Sequence, residues 1–263
     1  MTHPGTALIT GASSGIGAVY AEQLARRGYD LILVARNRQR LNQLADRLTT
    51  LTQRSIEVLP ADLGDAQDLA SIETRLAQDA SITLLVNNAG IGTHTPLLES
   101  DVEHMAQMIA LNITALTRLT YAAVPGLVAR GQGAVINISS VVSLAPELLN
   151  GVYGASKAYV TAFSQSLNRE LADQGVQVQA VLPGATATEF WATGGLPVEN
   201  LDPAMVMSAE DLVRAALEDF DARRLISIPS LHAFERYEAF EASRQGLLGQ
   251  LSNQQVAPRY SAG

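Results

Sequence analysis

The chain contains no cysteine in 263 residues, so disulfides and thiolate chemistry are excluded and a cytoplasmic setting fits. Its four histidines, His3, His94, His104 and His232, are scattered without ligand spacing, and no metal is expected. No apolar run approaches the ~20 residues needed to cross a bilayer. The opening "MTHPGTALIT" lacks the basic start and long apolar stretch of a signal peptide. Positive charge is scarce: 18 Lys and Arg stand against 26 Asp and Glu, a formal net charge of −8, which argues against nucleic acid or a membrane surface as a partner. An acidic protein that holds an anion must do so locally, with helix N-termini, backbone N–H groups and one or two placed arginines. There is no Pro- or Ser-rich linker and no internal repeat. With 47% apolar residues the length suits one large core, and the expected unit is a single domain over 1–263.

What is present is alternation. The runs "TALIT" (6–10), "DLILVA" (30–35), "SIEVL" (55–59), "ITLLV" (82–86), "AVINI" (134–138), "VQVQAVL" (176–182) and "LISI" (225–228) read as strands. Between them apolar residues recur three and four apart, as with Leu41, Leu44, Leu48 and Leu51. Strands alternating with helices of this length imply right-handed crossovers. The fold class is therefore α/β, a doubly wound sheet of about seven parallel strands with helices on both faces. Ligands of such sheets bind beyond the carboxyl ends of the strands. Small and polar residues gather at those ends, in "TGASSGIG", "ARN", "ADL", "NNAG", "SS" and "PGATATEF".

The first of these clusters follows the first strand and opens the first helix. Gly11 permits a tight turn, Gly15 a close backbone approach to a pyrophosphate, and Gly17 close packing of helix on strand. Far downstream, in "GVYGASKAYV", Tyr153 precedes Lys157 by four residues and shares its helix face. Alone, such a pair reads as a half-buried phenol beside a snorkelling lysine.

Taken together, the TGxxxGxG of Thr10, Gly11, Gly15 and Gly17, the NNAG of 87–90, and Ser140 thirteen residues before the YxxxK resemble the short-chain dehydrogenase/reductase family, from about residue 6 to about residue 190. The resemblance implies a Rossmann-type sheet, a nicotinamide cofactor, and hydride transfer between nicotinamide and a carbonyl or secondary alcohol. It implies Tyr153 as the acid/base, Lys157 as its partner and a ligand of the cofactor ribose, Ser140 as the hydrogen-bond donor to the substrate oxygen, and Asn112 as the holder of a water in the proton path. Ser139 should point the other way along an extended segment. For the cofactor, the resemblance implies Gly11, Ser13, Ser14, Gly15, Ile16 and Gly17 at the phosphates. It adds Asp62 and Leu63 at the adenine, Asn87, Asn88, Ala89 and Gly90 on the adenosine side, and Pro183, Gly184, Thr186 and Thr188 by the carboxamide. Gly154, Ala155 and Ser156 are expected to leave room for the ribose. His94, Phe190 and Trp191 join Ser140 as candidate substrate contacts, and 189–208 is expected to be a substrate lid.

Physical chemistry sets a condition on the Tyr153–Lys157 pair. A phenol with a reference pKa of about 10 needs ~4 kcal/mol to serve as a base near neutrality. One positive charge about 4 Å away supplies ~4 kcal/mol at an effective dielectric near 20, but only ~1 kcal/mol in bulk water. The lysine suffices only in a partly dried site, and an oxidised nicotinamide ring would add a second positive charge.

NADP(H) is expected over NAD(H). Enzymes that choose NAD commonly place an acid at the end of the second strand; here Ala35 stands there and Arg36 follows, ready to clamp a 2′-phosphate, with Arg38 assisting. Phe234, Tyr237, Phe240, Leu247 and Leu251 recur at helical spacing and predict an amphipathic helix over about 232–250, broken near Gly246, within a C-terminal extension spanning 231–251. The family resemblance implies a homodimer or homotetramer. The partner expected at the site is a small carbonyl or alcohol substrate. The competing reading is a non-catalytic nucleotide-sensing protein on the same fold, and the intact Ser140–Tyr153–Lys157 set argues against it. A methyltransferase would not need YxxxK or NNAG.

Overall fold

A computed structural model describes residues 3–260. In chain order the elements are β1 (Thr6–Thr10), α1 (Gly15–Arg26), β2 (Asp30–Ala35), α2 (Arg38–Thr52), β3 (Ile56–Pro60), α3 (Ala66–Gln78), β4 (Ile82–Asn87), α4 (Val102–Ile109), α5 (Leu116–Ala129), β5 (Gly133–Ile138), α6 (Gly151–Glu170), β6 (Val176–Val181), α7 (Phe190–Thr193), α8 (Ala209–Asp221), β7 (Ile226–Ser227) and α9 (Phe234–Gly246). Among the described residues the seven strands form one sheet in the order β3-β2-β1-β4-β5-β6-β7. Every pairing is parallel.

The apolar runs become these strands because both faces of the sheet are covered. One face packs on Tyr20 and Leu24 of α1, Leu41 and Leu48 of α2, and Leu212 and Val213 of α8. The other packs on Leu69 and Ile72 of α3, Leu119 and Leu127 of α5, and Leu167 of α6. A strand with two buried faces is apolar throughout rather than alternating, and β1 is buried along its whole length. The strand order reverses between β1 and β4, which opens a crevice at their carboxyl ends.

Capping fixes where the helices begin. Asn37 accepts from Arg40 N, Asp65 from Gln67 N and Asp68 N, and Asn150 from Val152 N and Tyr153 N. Between α4 and α5 the helix widens into a π turn over Ala110–Ala115, with Asn112 inside it.

The chain falls into two compact units, one ending at Ser230 and the other beginning at Leu231. In the second unit the expected helix runs from Phe234 to Gly246, followed by a short 3-10 turn at Leu248–Gln250. Phe234, Tyr237 and Phe240 meet in series, with ring centroids 5.6 and 6.2 Å apart. No helix among the described residues is long and apolar enough to cross a membrane.

Candidate active site

The carboxyl ends of the strands frame a cleft of about 600 Å³. Its glycine turn is built for close approach. Gly11 sits at φ +64°, and a Cβ there would come within 2.7 Å of the Asn88 side chain. A Cβ on Gly17 would lie 2.3 Å from Gly11 O. Ser14 precedes α1 without capping it through its side chain, so the first-turn N–H groups remain for an anion. Thr10 ties the turn to β4: its hydroxyl donates to Val86 O and accepts from Asn88 N and Ala89 N. The cradle fits a dinucleotide phosphate. Gly11, Ser13, Ser14, Gly15 and Ile16 line the cleft together with Arg36, Asp62, Leu63, Asn88, Ala89, Gly90, Pro183, Gly184, Thr186 and Thr188.

Tyr153 and Lys157 of α6 line the same cleft as Ser140. The Lys157 ammonium lies 5.8 Å from the centre of the Tyr153 ring and donates to Ile138 O at 3.0 Å. The Ser140 hydroxyl neighbours the phenol, donating to Pro183 O at 3.4 Å and accepting from Val142 N at 3.3 Å. Ser139 does point away, donating to Lys157 O and bonding Thr161. Asn112 is buried: its carbonyl oxygen accepts from Ile91 N, and its amide donates to Ile91 O and Ser156 Oγ. Apolar Ile91, Val142, Leu149 and Phe190 surround the phenol, with the Phe190 ring 5.7 Å from that of Tyr153. Trp191 meets Phe190 edge-on and donates to Thr186 O at 2.9 Å.

The electrostatics run opposite to the simple expectation of a lysine-lowered phenol. Burial pushes Tyr153 up to about 12, and the neighbouring Ser140 hydroxyl, which favours the phenolate, only partly opposes it. Burial likewise brings Lys157 down to about 8. Removing water disfavours both charges before their mutual attraction can act, so the protein alone holds a protonated phenol.

The profile of the short chain dehydrogenase family matches residues 5–195. The chain belongs to the short-chain dehydrogenase family. It is an NAD(P)-dependent dehydrogenase/reductase. A short-chain dehydrogenase from Sphingobium yanoikuyae, solved in complex with NADPH, is 49% identical, covers 97% of this chain and 99% of its own, and superposes with a TM-score of 0.95. A bulky-bulky ketone specific alcohol dehydrogenase from Comamonas testosteroni is 45% identical over 98% of this chain and 99% of its own, with a TM-score of 0.91. The very-long-chain 3-oxoacyl-CoA reductase of Anas platyrhynchos is 35% identical over 188 residues, 70% of this chain but only 60% of that longer protein.

Several sequence expectations fall elsewhere in this short-chain dehydrogenase. Asn87 does not reach the adenosine side; it donates to Thr120 and Asn137 in the buried layer, because the strand's alternation turns it away from the cleft. Gly17 and Asn112 support the cleft from behind rather than line it. His94 lies in a small neighbouring cavity, where its Nδ1 meets Gly194 O at 2.9 Å. The space beside Tyr153 and Lys157 is not left by Gly154, Ala155 and Ser156. A Cβ on Gly154 would strike Pro146 O at 2.8 Å, Ala155 is exposed, and Ser156 is buried under Asn112. The space is left by Gly90 and Gly92, where added Cβ atoms would come within 3.6 Å of Lys157 Nζ and 3.0 Å of the Tyr153 ring. Arg38 does not line the cleft; Arg40 does. The Asn37 cap sets the phase of α2, and that phase was not visible in "ARNRQR".

Proposed function

We propose that the protein is an NADP(H)-dependent carbonyl reductase, moving hydride between nicotinamide and a ketone or secondary alcohol with two bulky substituents. The observation that carries this reading is the meeting of Tyr153, Ser140 and Lys157 in a cleft that also presents a glycine turn and Arg36. Nicotinamide, when bound, supplies or takes the hydride. In reduction Tyr153 gives its proton to the carbonyl oxygen, Ser140 hydrogen-bonds that oxygen, and Lys157 stabilises the phenolate left behind and binds the ribose. A phenol kept protonated by burial is prepared for the reductive direction. Both amide hydrogens of Asn112 are engaged, so a water in the proton path would be held by the π-turn backbone rather than by its side chain.

Ala35 brings no carboxylate to a ribose 2′-phosphate, and Arg36 offers it a charge-assisted contact. Ile91, Val142, Leu149, Phe190 and Trp191 give the substrate end an apolar wall suited to two large groups, and the Comamonas relative supports that size class. Residues 189–208 act as its lid. The chain works as a homodimer or homotetramer through α5 and α6, where exposed Tyr121 stacks on Phe163, itself stacked on Tyr159. Its setting is cytoplasmic. The test is cofactor oxidation with ketones of graded bulk. Faster turnover of diaryl or aryl-alkyl ketones than of acetone, with kcat/KM about tenfold higher for NADPH than NADH, is expected. Equal use of both cofactors, or a preference for the smallest ketones, rejects the corresponding half of the proposal.

A further inference from the structure

An ion pair spans the cleft without taking part in the chemistry above. Arg40, in the first turn of α2, donates to the Glu189 carboxylate at 2.6 Å across 149 residues of sequence. Both residues line the cleft, as do Arg36, Asn37 and Gly15. The segment carrying Glu189 lies against the glycine turn: a Cβ on Gly15 would come within 3.1 Å of Thr188. Glu189 is also the residue from which α7 starts, and its side chain does not cap that helix. Its carbonyl accepts from Thr193 N and Thr193 Oγ1. The next two residues, Phe190 and Trp191, stand beside Tyr153 and hold Thr186 O respectively. One exposed guanidinium therefore links the α2 corner of the cleft to the helix over the catalytic phenol.

Arg36 lines the same cleft, its own guanidinium 4.0 Å from the Asp62 carboxylate. A phosphate monoester carries up to two negative charges and three acceptor oxygens, and it is a stronger partner for arginine than one carboxylate. The carboxylate and the phosphate compete for a single fork of donors. We propose that Arg40 is shared, held by Glu189 in the free protein and taken by the ribose 2′-phosphate when NADP(H) binds, so that the phosphate releases the start of α7 and resets Phe190 and Trp191 against Tyr153. The inference rests on the NADP(H) reading above. It makes Arg40 and Glu189 positioning residues that let the substrate wall sense which dinucleotide is present.

Trp191 is the chain's single tryptophan, so its fluorescence reports on α7 directly. The probes are adenosine 2′,5′-bisphosphate and AMP, which differ only by the 2′-phosphate and carry no nicotinamide to absorb the emission. In the wild type the bisphosphate shifts the Trp191 emission and AMP does not. In Glu189→Gln the free protein already shows the shifted emission, and the bisphosphate binds about two- to fivefold more tightly, the size of one exposed ion pair released. In Arg40→Ala the free emission is also shifted, and the bisphosphate loses affinity while AMP does not. Equal shifts with the two ligands, or an unchanged bisphosphate affinity in Glu189→Gln, overturn the sharing. If the bisphosphate binds the wild type no more tightly than AMP, the NADP(H) reading fails and the sharing with it. If it binds more tightly but Glu189→Gln gains nothing, the sharing alone fails.

Discussion

The two ends of the cleft hold positive charge in opposite surroundings. Lys157 is 6% exposed and bonded to a strand carbonyl, whereas the side chains of Arg36 and Arg40 are 75% and 44% exposed. At the dry end burial has already drawn Lys157 down to about 8, so its charge is adjustable and acts on the phenol through a medium of low dielectric. At the wet end a guanidinium never titrates, and water and salt screen its reach to about 10 Å. On the proposed function, the cation that must act on another group's proton is buried and is a lysine. On the same proposal, the cation that only attracts a phosphate remains in water and is an arginine.

The sharpest way to break this contrast is at the dry end. Tyr153→Phe removes only the transferable proton, and kcat should fall about 10²–10⁴-fold while NADPH fluorescence titrations still give binding. Retention of more than about a tenth of kcat, a loss below ~1.4 kcal/mol, would remove Tyr153 from the reaction. Next in size is Lys157→Met, with kcat expected to drop about 10²-fold through loss of the charge that steadies the phenolate. This variant also tests the pH dependence. The Lys157 pKa is depressed, so the side chain is charged below about 8 and neutral above it, and kcat/KM for NADPH should hold level below that pH and decline above it. Tyr153, pushed up to about 12, stays protonated through that range, so the decline should vanish in Lys157→Met. A decline that survives belongs to another group.

Smaller effects belong to the wet end. Arg36→Ala should lower kcat/KM for NADPH by about three- to tenfold, one charge-assisted contact discounted for its exposure, and leave NADH nearly unchanged. High salt should shrink that difference, whereas salt should not alter the effect of Tyr153→Phe. The smallest effect tests whether burial by itself makes a phenol reactive. Tyr20 is fully buried, burial raises its pKa, and its hydroxyl finds no partner among the described residues. Tyr20→Phe should stabilise the fold by about 1 kcal/mol in denaturant melts and leave turnover within about twofold. A large loss of activity there would mean that the phenols are not told apart by their neighbours.

The sheet, and the gathering of the glycine turn, Ser140, Tyr153 and Lys157 at one cleft, were legible from residue patterns, since both follow from what lies at the ends of the strands. The runs at 6–10 and 30–35 became β1 and β2 without a change of boundary. The last run shrank from 225–228 to Ile226–Ser227, because that edge strand pairs only with β6. What was hidden depends on phase and on long-range contact. Arg40 rather than Arg38 faces the cleft because Asn37 caps α2 and so sets its rotation. The room beside Lys157 comes from Gly90 and Gly92, some sixty residues upstream of the small residues that flank it in sequence. The π turn around Asn112 had no mark in "MIALNITAL"; it accompanies the bonds of that side chain to Ile91 and Ser156. Asn150 caps α6 three residues before Tyr153 and also donates to Thr95 O and Ser100 Oγ, anchoring the start of α6 in a way that only the fold reveals.

Lys157 is the only lysine in the sequence. Reagents that acylate side-chain amines therefore have one target in the whole protein, and it lies at the bottom of the cleft beside Gly90. Amine-directed crosslinkers find no lysine side chain on the surface through which to staple subunits together. A small acylating agent that does reach Nζ removes the ammonium on which the proposed function depends, and the mass of the peptide that carries residue 157 tells this modification from acylation of the chain's α-amino group.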